Sequence, residues 1–232
     1  MLNRAVIHIK NLWKSLRWLK LDFNKFKDHL ESRGYYSPVP YKLFLWKRHA
    51  KYFRVFDNSG VCFFIKMKCE KETIHESKVI NHLDNCNSDN LIFFPKIFCT
   101  IIDEYCYNVF EYLEGDVVSR KSIIKFDLKK QMLSIVSFFH KINIVHRDIR
   151  PHNLMVENGI LRVLDFEHCY MPEITNNNRL EELNEKFRPS NYKWDDAYSF
   201  KKILDQYLIN SEMQDEYLEL SDMVGKCVYE ID

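Results

Sequence analysis

The chain has 232 residues, 46% hydrophobic and 29% charged, which is enough apolar mass for one substantial core or two small lobes. A net charge of +1 removes any global electrostatic case for nucleic acid as the main partner. Seven cysteines, an odd number without a C-x-x-C pair, sit mostly in apolar runs and read as reduced thiols of a cytoplasmic protein rather than a disulfide or zinc framework. No stretch approaches the roughly 18 uninterrupted apolar residues of a membrane span, and the start of the chain lacks the apolar core of a secretory signal.

In chain order, residues 4–30 place Ile9, Leu12, Trp13, Leu16, Leu19, Phe23, Phe26 and Leu30 at helical intervals, one apolar stripe on a helix. Residues 1–27 hold seven Lys or Arg against the single acid Asp22. Two readings fit: an interfacial helix on anionic lipid at the inner face of the cytoplasmic membrane, or a helix docked on its own domain with a solvated basic face. RGYYSPVP (33–40), with a glycine and two prolines, reads as a linker. The expected organisation is therefore a helix and linker over 1–35, a first lobe over 36–111 and a second over 112–232.

Beyond the linker, YKLFLW, KYFRVF and VCFFIKMK have the composition of strands, the last two joined by a turn through Asn58, Ser59 and Gly60. EKETIHESKVINHL (70–83) is helical, with Val79, Ile80 and Leu83 on one face and Glu76 sharing it. A carboxylate on an inward stripe is costly unless a cation meets it. Two more strands are expected near 96–103 and 106–112. Asp127 stands as the N-cap of an amphipathic helix through DLKKQMLSIVSFFHKI, and two helices close the chain from WDDAYSFKKILDQYL and SEMQDEYLELSDMVGKCVYE.

Between those helices lies IVHRDIRPHNLMVENGILRVLDFEHC (144–169). Here HRDIRPHN resembles the protein-kinase catalytic loop H-R-D-L-x-x-x-N with Ile149 for Leu, and Asp165-Phe166-Glu167 follows where kinases carry D-F-G. The resemblance implies a two-lobed, α+β protein-kinase-like fold that uses ATP and Mg²⁺. By the same resemblance Asp148 orients the acceptor hydroxyl, Arg150 reaches the transferring phosphate, and Asn153 and Asp165 hold the metal. His146 and Arg147 support the loop. Lys66 in FFIKMK resembles the phosphate-binding lysine of the third strand and is paired with Glu76, with Lys68 as the alternative. VFEYLEG resembles the interlobe hinge, with Phe110 at the gatekeeper position and the backbone from Glu111 to Leu113 meeting adenine. Asp196 in DAYSF resembles the acid that supports the catalytic loop from a helix.

Several positions depart from the pattern. No G-x-G-x-x-G is present, the first turn reading Lys47-Arg48-His49-Ala50-Lys51. Phe64 stands where a small residue is usual, Glu167 replaces the glycine of D-F-G, A-P-E is absent, and Asp196 follows Asp165 by only 31 positions. A reduced lower lobe and the DIRPHNLMV loop resemble small atypical bacterial kinases of lipopolysaccharide core and surface polysaccharides. The leading expectation is transfer of the γ-phosphoryl group of ATP to a sugar hydroxyl of a membrane-linked glycan. The competing expectations are a Ser/Thr protein kinase and a pseudokinase that binds without reacting.

Overall fold

The computed structural model describes residues 2–47, 49–86, 91–173 and 183–231. Arg48 of the basic turn and the polar stretch 174–182 lie outside the described residues. The chain divides into two compact units, one formed by Met1–Ser77 with Lys96–Tyr112 and the other by Lys78–Pro95 with Leu113–Asp232.

The first unit is built on a five-stranded sheet of β1 (Tyr36–Pro40), β2 (Lys51–Phe56), β3 (Cys62–Met67), β4 (Ile97–Ile102) and β5 (Cys106–Glu111), ordered β1-β2-β3-β5-β4. Every neighbouring pair is antiparallel. Alternation along the strands sorts residues onto two faces. Phe53 and Val55, Phe63, Ile65 and Met67, and Tyr107 and Val109 form one apolar face. Phe64 and Lys66 on β3, with their partners Phe110 and Asn108 on β5, belong to the other.

Two helices, α1 (Leu2–Leu21) and α2 (Phe23–Glu31), precede the sheet. The single helix expected over 4–30 is interrupted at Asp22, whose side chain makes no cap bond. This break re-aims the apolar stripe. Phe26 and Leu30 on α2 are fully buried in the sheet's apolar core, with Trp18, Leu19 and Phe23 packed against it. Ile9, Leu12, Trp13 and Leu16 on α1 stay exposed. Docking on its own unit thus accounts for the second half of the segment alone.

The linker expected at 33–40 is instead strand β1. Pro38 and Pro40 are compatible with it because β1 is the sheet edge, where one side of the backbone needs no ladder partner. Conversely, YKLFLW is not a strand: Leu43–Leu45 forms a 3-10 turn entered through Lys42 with φ 44°. Trp46 at its end donates its indole N–H to Tyr41 O at 2.9 Å and buries its ring in the core. The β2–β3 turn is held by Asp57, whose Oδ1 accepts N–H bonds from Ser59 and Val61, both at 2.9 Å.

Helix α3 (Glu70–Cys86) begins in the first unit and continues into the second. Its first turns are tied to the sheet by polar contacts. Asn108 donates its Nδ2 to Thr73 O at 3.1 Å, and the Thr100 hydroxyl donates to Ser77 Oγ at 2.7 Å.

The second unit combines a three-stranded sheet, β6 (Asp116–Val117), β7 (Leu154–Glu157) and β8 (Ile160–Val163), with helices α4 (Arg120–Lys125), α5 (Leu128–Lys141), α6 (Asp196–Tyr207) and α7 (Asp215–Met223). Its interior gathers Met132, Ile135 and Phe139 of α5, Phe200, Ile203 and Leu204 of α6, and Phe166. Phe94 stacks on Phe139 at 5.5 Å and meets Phe166 edge-on. Asp127 stands at the N-cap position as expected, but with φ 49° its side chain makes no cap bond, and the carboxylate lies 3.4 Å from Lys130 Nζ. Nor is the end of the chain wholly helical. β10 (Val228–Glu230) pairs antiparallel with β9 (Lys193–Asp195).

Candidate active site

In the second unit, the segment 144–169 is pinned at both ends by paired bonds between Val145 and Tyr170, each donating its N–H to the other's carbonyl. Between these points Pro151–Asn153 makes a 3-10 turn, with Pro151 at the position where a missing N–H costs nothing. Strands β7 and β8 follow as a hairpin and return the chain to Asp165. Leu164 then donates its N–H to Asn153 O at 2.9 Å, which ties the two polar ends of the hairpin together.

Asp148 is the centre of this loop and is 1% exposed. Its Oδ2 accepts from Asn153 Nδ2 at 2.7 Å and from an Arg150 guanidinium nitrogen at 3.0 Å. Asn153 Nδ2 also donates to the Asp148 carbonyl at 3.0 Å. The other carboxylate oxygen, Oδ1, is buried without a hydrogen-bond partner. Burial pushes the Asp148 carboxyl up to about 6, with the Asp165 charge adding to the rise while Arg150, His168 and the Asn153 bond oppose it.

The loop backbone is held by Asp196, the first residue of α6. Its Oδ2 accepts from the His146 N–H at 2.6 Å and its Oδ1 from the Arg147 N–H at 3.2 Å. Burial raises the Asp196 carboxyl to about 7 and the two backbone bonds act against that rise. His146 Nε2 lies 3.0 Å from Leu164 O, and the ring meets Phe166 at 4.6 Å. Arg147, with φ 68°, is buried between Trp194 at 4.6 Å and Tyr229 at 4.5 Å from the ring centroids. This aromatic clamp has no signature in the sequence, because its parts come from strands β9 and β10, far along the chain from the loop they support.

Asp165 also adopts a left-handed conformation, φ 68° and ψ 66°, at the entry to a 3-10 turn over Phe166–His168. Glu167, in the place of the glycine of D-F-G, is nearly buried and its Oε1 lies 3.1 Å from His168 Nε2. His168 is a residue that sequence reasoning misses, although it follows the D-F-E triplet directly and acts electrostatically on Asp148.

In the first unit, Lys66 Nζ donates to Glu76 Oε1 at 2.7 Å, with side-chain exposures of only 7% and 2%. The inward carboxylate of α3 is thereby compensated across ten residues of sequence. Lys68 lies over the Tyr52 ring at 5.7 Å. At the end of β5, Glu111 donates its N–H to Lys96 O at 3.0 Å and accepts the Lys96 N–H on Oε1 at 3.1 Å. Its N–H is therefore committed within the sheet. Leu113 is the first residue of the second unit after Tyr112.

The donor chemistry fits a hard, oxygen-bound divalent ion. Asn153 commits its amide N–H groups to Asp148, which leaves its carbonyl oxygen as the atom it offers a cation. A buried Asp148 carboxylate oxygen without a donor, with the Asp165 charge acting on the same group, is an arrangement a cation completes. Among the described residues no cluster of three or more His, Cys, Asp or Glu is arranged for a metal.

Residues 63–192 match the protein kinase domain family. The chain belongs to that family. Calcium-dependent protein kinase 4 of Plasmodium falciparum is 30% identical over 116 residues, covering 44% of this chain and 21% of the relative. The probable serine/threonine-protein kinase YbdM of Bacillus subtilis is 31% identical over 110 residues, covering 44% of this chain and 42% of the relative. The probable serine/threonine-protein kinase FMP48 of Saccharomyces cerevisiae is 32% identical over 117 residues, or 41% of this chain and 30% of the relative. The chain thus spans less than half the length of each of these relatives. The mixed helix-and-sheet architecture, with its antiparallel N-terminal sheet and helical second unit, agrees with the kinase fold.

Proposed function

We propose that this chain transfers the γ-phosphoryl group of ATP to a hydroxyl acceptor. The observation that carries the reading is Asp148: a buried carboxylate fixed through one oxygen by Asn153 and Arg150, with its other oxygen unpartnered. That oxygen is the base toward which an acceptor O–H points. The acceptor oxygen forms a bond to the γ-phosphorus, the bond from that phosphorus to the bridging oxygen breaks, ADP leaves and Asp148 takes the proton.

Arg150, with its side chain 42% exposed, supplies a guanidinium to the transferring phosphate while its contact with Asp148 keeps the carboxylate oriented. Lys66, fixed by Glu76, supplies positive charge to the phosphates of the nucleotide. Glu111 through its carbonyl and Leu113 through its N–H read the adenine edge. Asn153 and Asp165 hold Mg²⁺, which when bound neutralises the charge on the phosphates.

The names of the relatives, serine/threonine-protein kinases among them, support a protein hydroxyl as acceptor. A sugar hydroxyl on a membrane-linked glycan is supported by a different observation. Only 31 positions separate Asp165 from Asp196 and no A-P-E is present, a short length of chain for the surface on which protein kinases dock a peptide. The test uses purified full chain, Mg²⁺ and ATP labelled on the γ-phosphate, with generic protein and with isolated cell-surface glycan as acceptors. Label should enter one acceptor class, and Asp148→Asn should slow its entry about 10²–10⁴-fold. Equal rates for the two proteins would overturn the assignment.

A further inference from the structure

Helix α1 has two unlike sides. Its inner side is anchored: Ser15 is 3% exposed and its hydroxyl donates to Leu43 O at 3.1 Å. Trp18 meets the rings of Trp46 and Phe26 at 5.8 Å and of Phe53 at 6.0 Å. The outer side carries Ile9, Leu12, Trp13 and Leu16, at the i, i+3, i+4 and i+7 positions of a single stripe. Their exposures are 67%, 39%, 64% and 50%, and exposed Phe44 lies beside the helix, its ring 6.4 Å from that of His8. Four large apolar side chains in one row facing solvent form a patch rather than scattered surface residues.

Beside this stripe run Lys10, Lys14, Arg17 and Lys20, all exposed. Among the described residues none of the four meets an acid, and residues 1–21 contain no Asp or Glu at all. Against a second copy of the chain, a symmetric contact would press these cations on each other. Against an anionic lipid surface, apolar side chains enter the acyl boundary while the lysines and arginine meet phosphate headgroups. No helix of the described residues is long and apolar enough to cross a membrane, so α1 would lie along the surface.

We propose that the outer face of α1, with Ile9, Leu12, Trp13 and Leu16 as its apolar ridge and Lys10, Lys14, Arg17 and Lys20 as its cationic flank, binds the surface of an anionic phospholipid bilayer. The inference narrows the lipid-facing segment from residues 4–30 to α1, since Phe26 and Leu30 of α2 are committed to the core. It goes beyond the phosphotransfer reading and does not depend on it.

The test is co-sedimentation of the full chain with mixed phosphatidylcholine–phosphatidylglycerol vesicles and with pure phosphatidylcholine, in the absence of nucleotide. Binding should be confined to the anionic vesicles and fall as salt rises. Lys14→Gln with Arg17→Gln should weaken it about twenty-five-fold, at roughly five-fold per charge. Trp13→Ala with Leu16→Ala should weaken it at every salt concentration, and an unchanged melting temperature would show that these outward substitutions leave the fold intact. Three results would overturn the proposal: no sedimentation with either vesicle, equal sedimentation with both, or self-association that Trp13→Ala abolishes without any vesicle binding. Because no nucleotide is present, an inactive enzyme would not affect the outcome.

Discussion

The two units treat buried charge in opposite ways. In the sheet unit, buried Glu76 is met by the buried Lys66 ammonium at 2.7 Å. In the helical unit, Asp148 receives a half-exposed arginine and one amide on a single oxygen, while its second oxygen is buried without a donor and Asp165 adds negative charge nearby. The first acid has a cation at hydrogen-bond distance; the second keeps one buried oxygen without a donor. A buried acid left under-compensated destabilises the protein that carries it, and such a defect points to a function that uses it.

Breaking the complete pair has the largest predicted effect on folding. Lys66→Met removes the cation that meets buried Glu76 and should lower unfolding free energy by about 3–5 kcal/mol, read by chemical denaturation. Lys66→Met with Glu76→Leu should recover most of that loss, because the pair contributes little net stability beyond mutual compensation. A double variant no more stable than the single one would show that Glu76 is not compensated by Lys66.

The incomplete site should respond in the opposite direction. Asp148→Asn should stabilise the metal-free protein at pH 8 by about 1–3 kcal/mol while slowing transfer about 10²–10⁴-fold. The sign follows from the carboxyl being raised to about 6 in the folded state against an ordinary value near 3.8. The folded protein holds the proton more firmly than the unfolded chain, so the cost of the charge is fully present above pH 6 and disappears toward pH 4. The difference in melting between the two proteins should therefore shrink as the buffer is acidified. A gain independent of pH would place its origin outside Asp148 ionisation.

The smallest effect is expected at Asp127. Its carboxylate makes no cap bond and pairs only with exposed Lys130, so Asp127→Asn should change stability by less than about 0.5 kcal/mol. A cap of ordinary strength would instead be worth about 1 kcal/mol on replacement by Ala.

What was legible in the sequence follows from the range of the interactions involved. The proposed catalytic loop is local: His146, Asp148 and Asn153 lie within eight residues, and their spacing carries the resemblance to the kinase motif. The acid on the inward stripe of α3 calls for a cation, and the resemblance of FFIKMK to the third kinase strand points to Lys66, although alternation leaves Lys68 on the same face as an alternative. Long-range packing was not readable. Tyr36–Pro40 has the prolines of a linker and becomes a strand because a sheet edge tolerates them. The apolar stripe of residues 9–30 is continuous in sequence, yet Leu19, Phe23, Phe26 and Leu30 pack on the core while Ile9, Leu12, Trp13 and Leu16 stay exposed. Val228–Glu230 continues a helical pattern and becomes a strand because Lys193–Asp195 offers it a partner.

The central claim, that the helical unit's acids await a cation bound to nucleotide, is tested most directly by thermal unfolding with and without Mg²⁺ and ATP. At a nucleotide concentration about a hundred times the dissociation constant, the protein should gain about 2.7 kcal/mol. That corresponds to a rise in melting temperature of roughly 5–10 °C for a chain of this size, at about 2–4 °C per kcal/mol. The rise should require the metal and be lost with Asn153→Ala and Asp165→Asn together. No rise in the unaltered protein, or the same rise in that variant, would contradict the account.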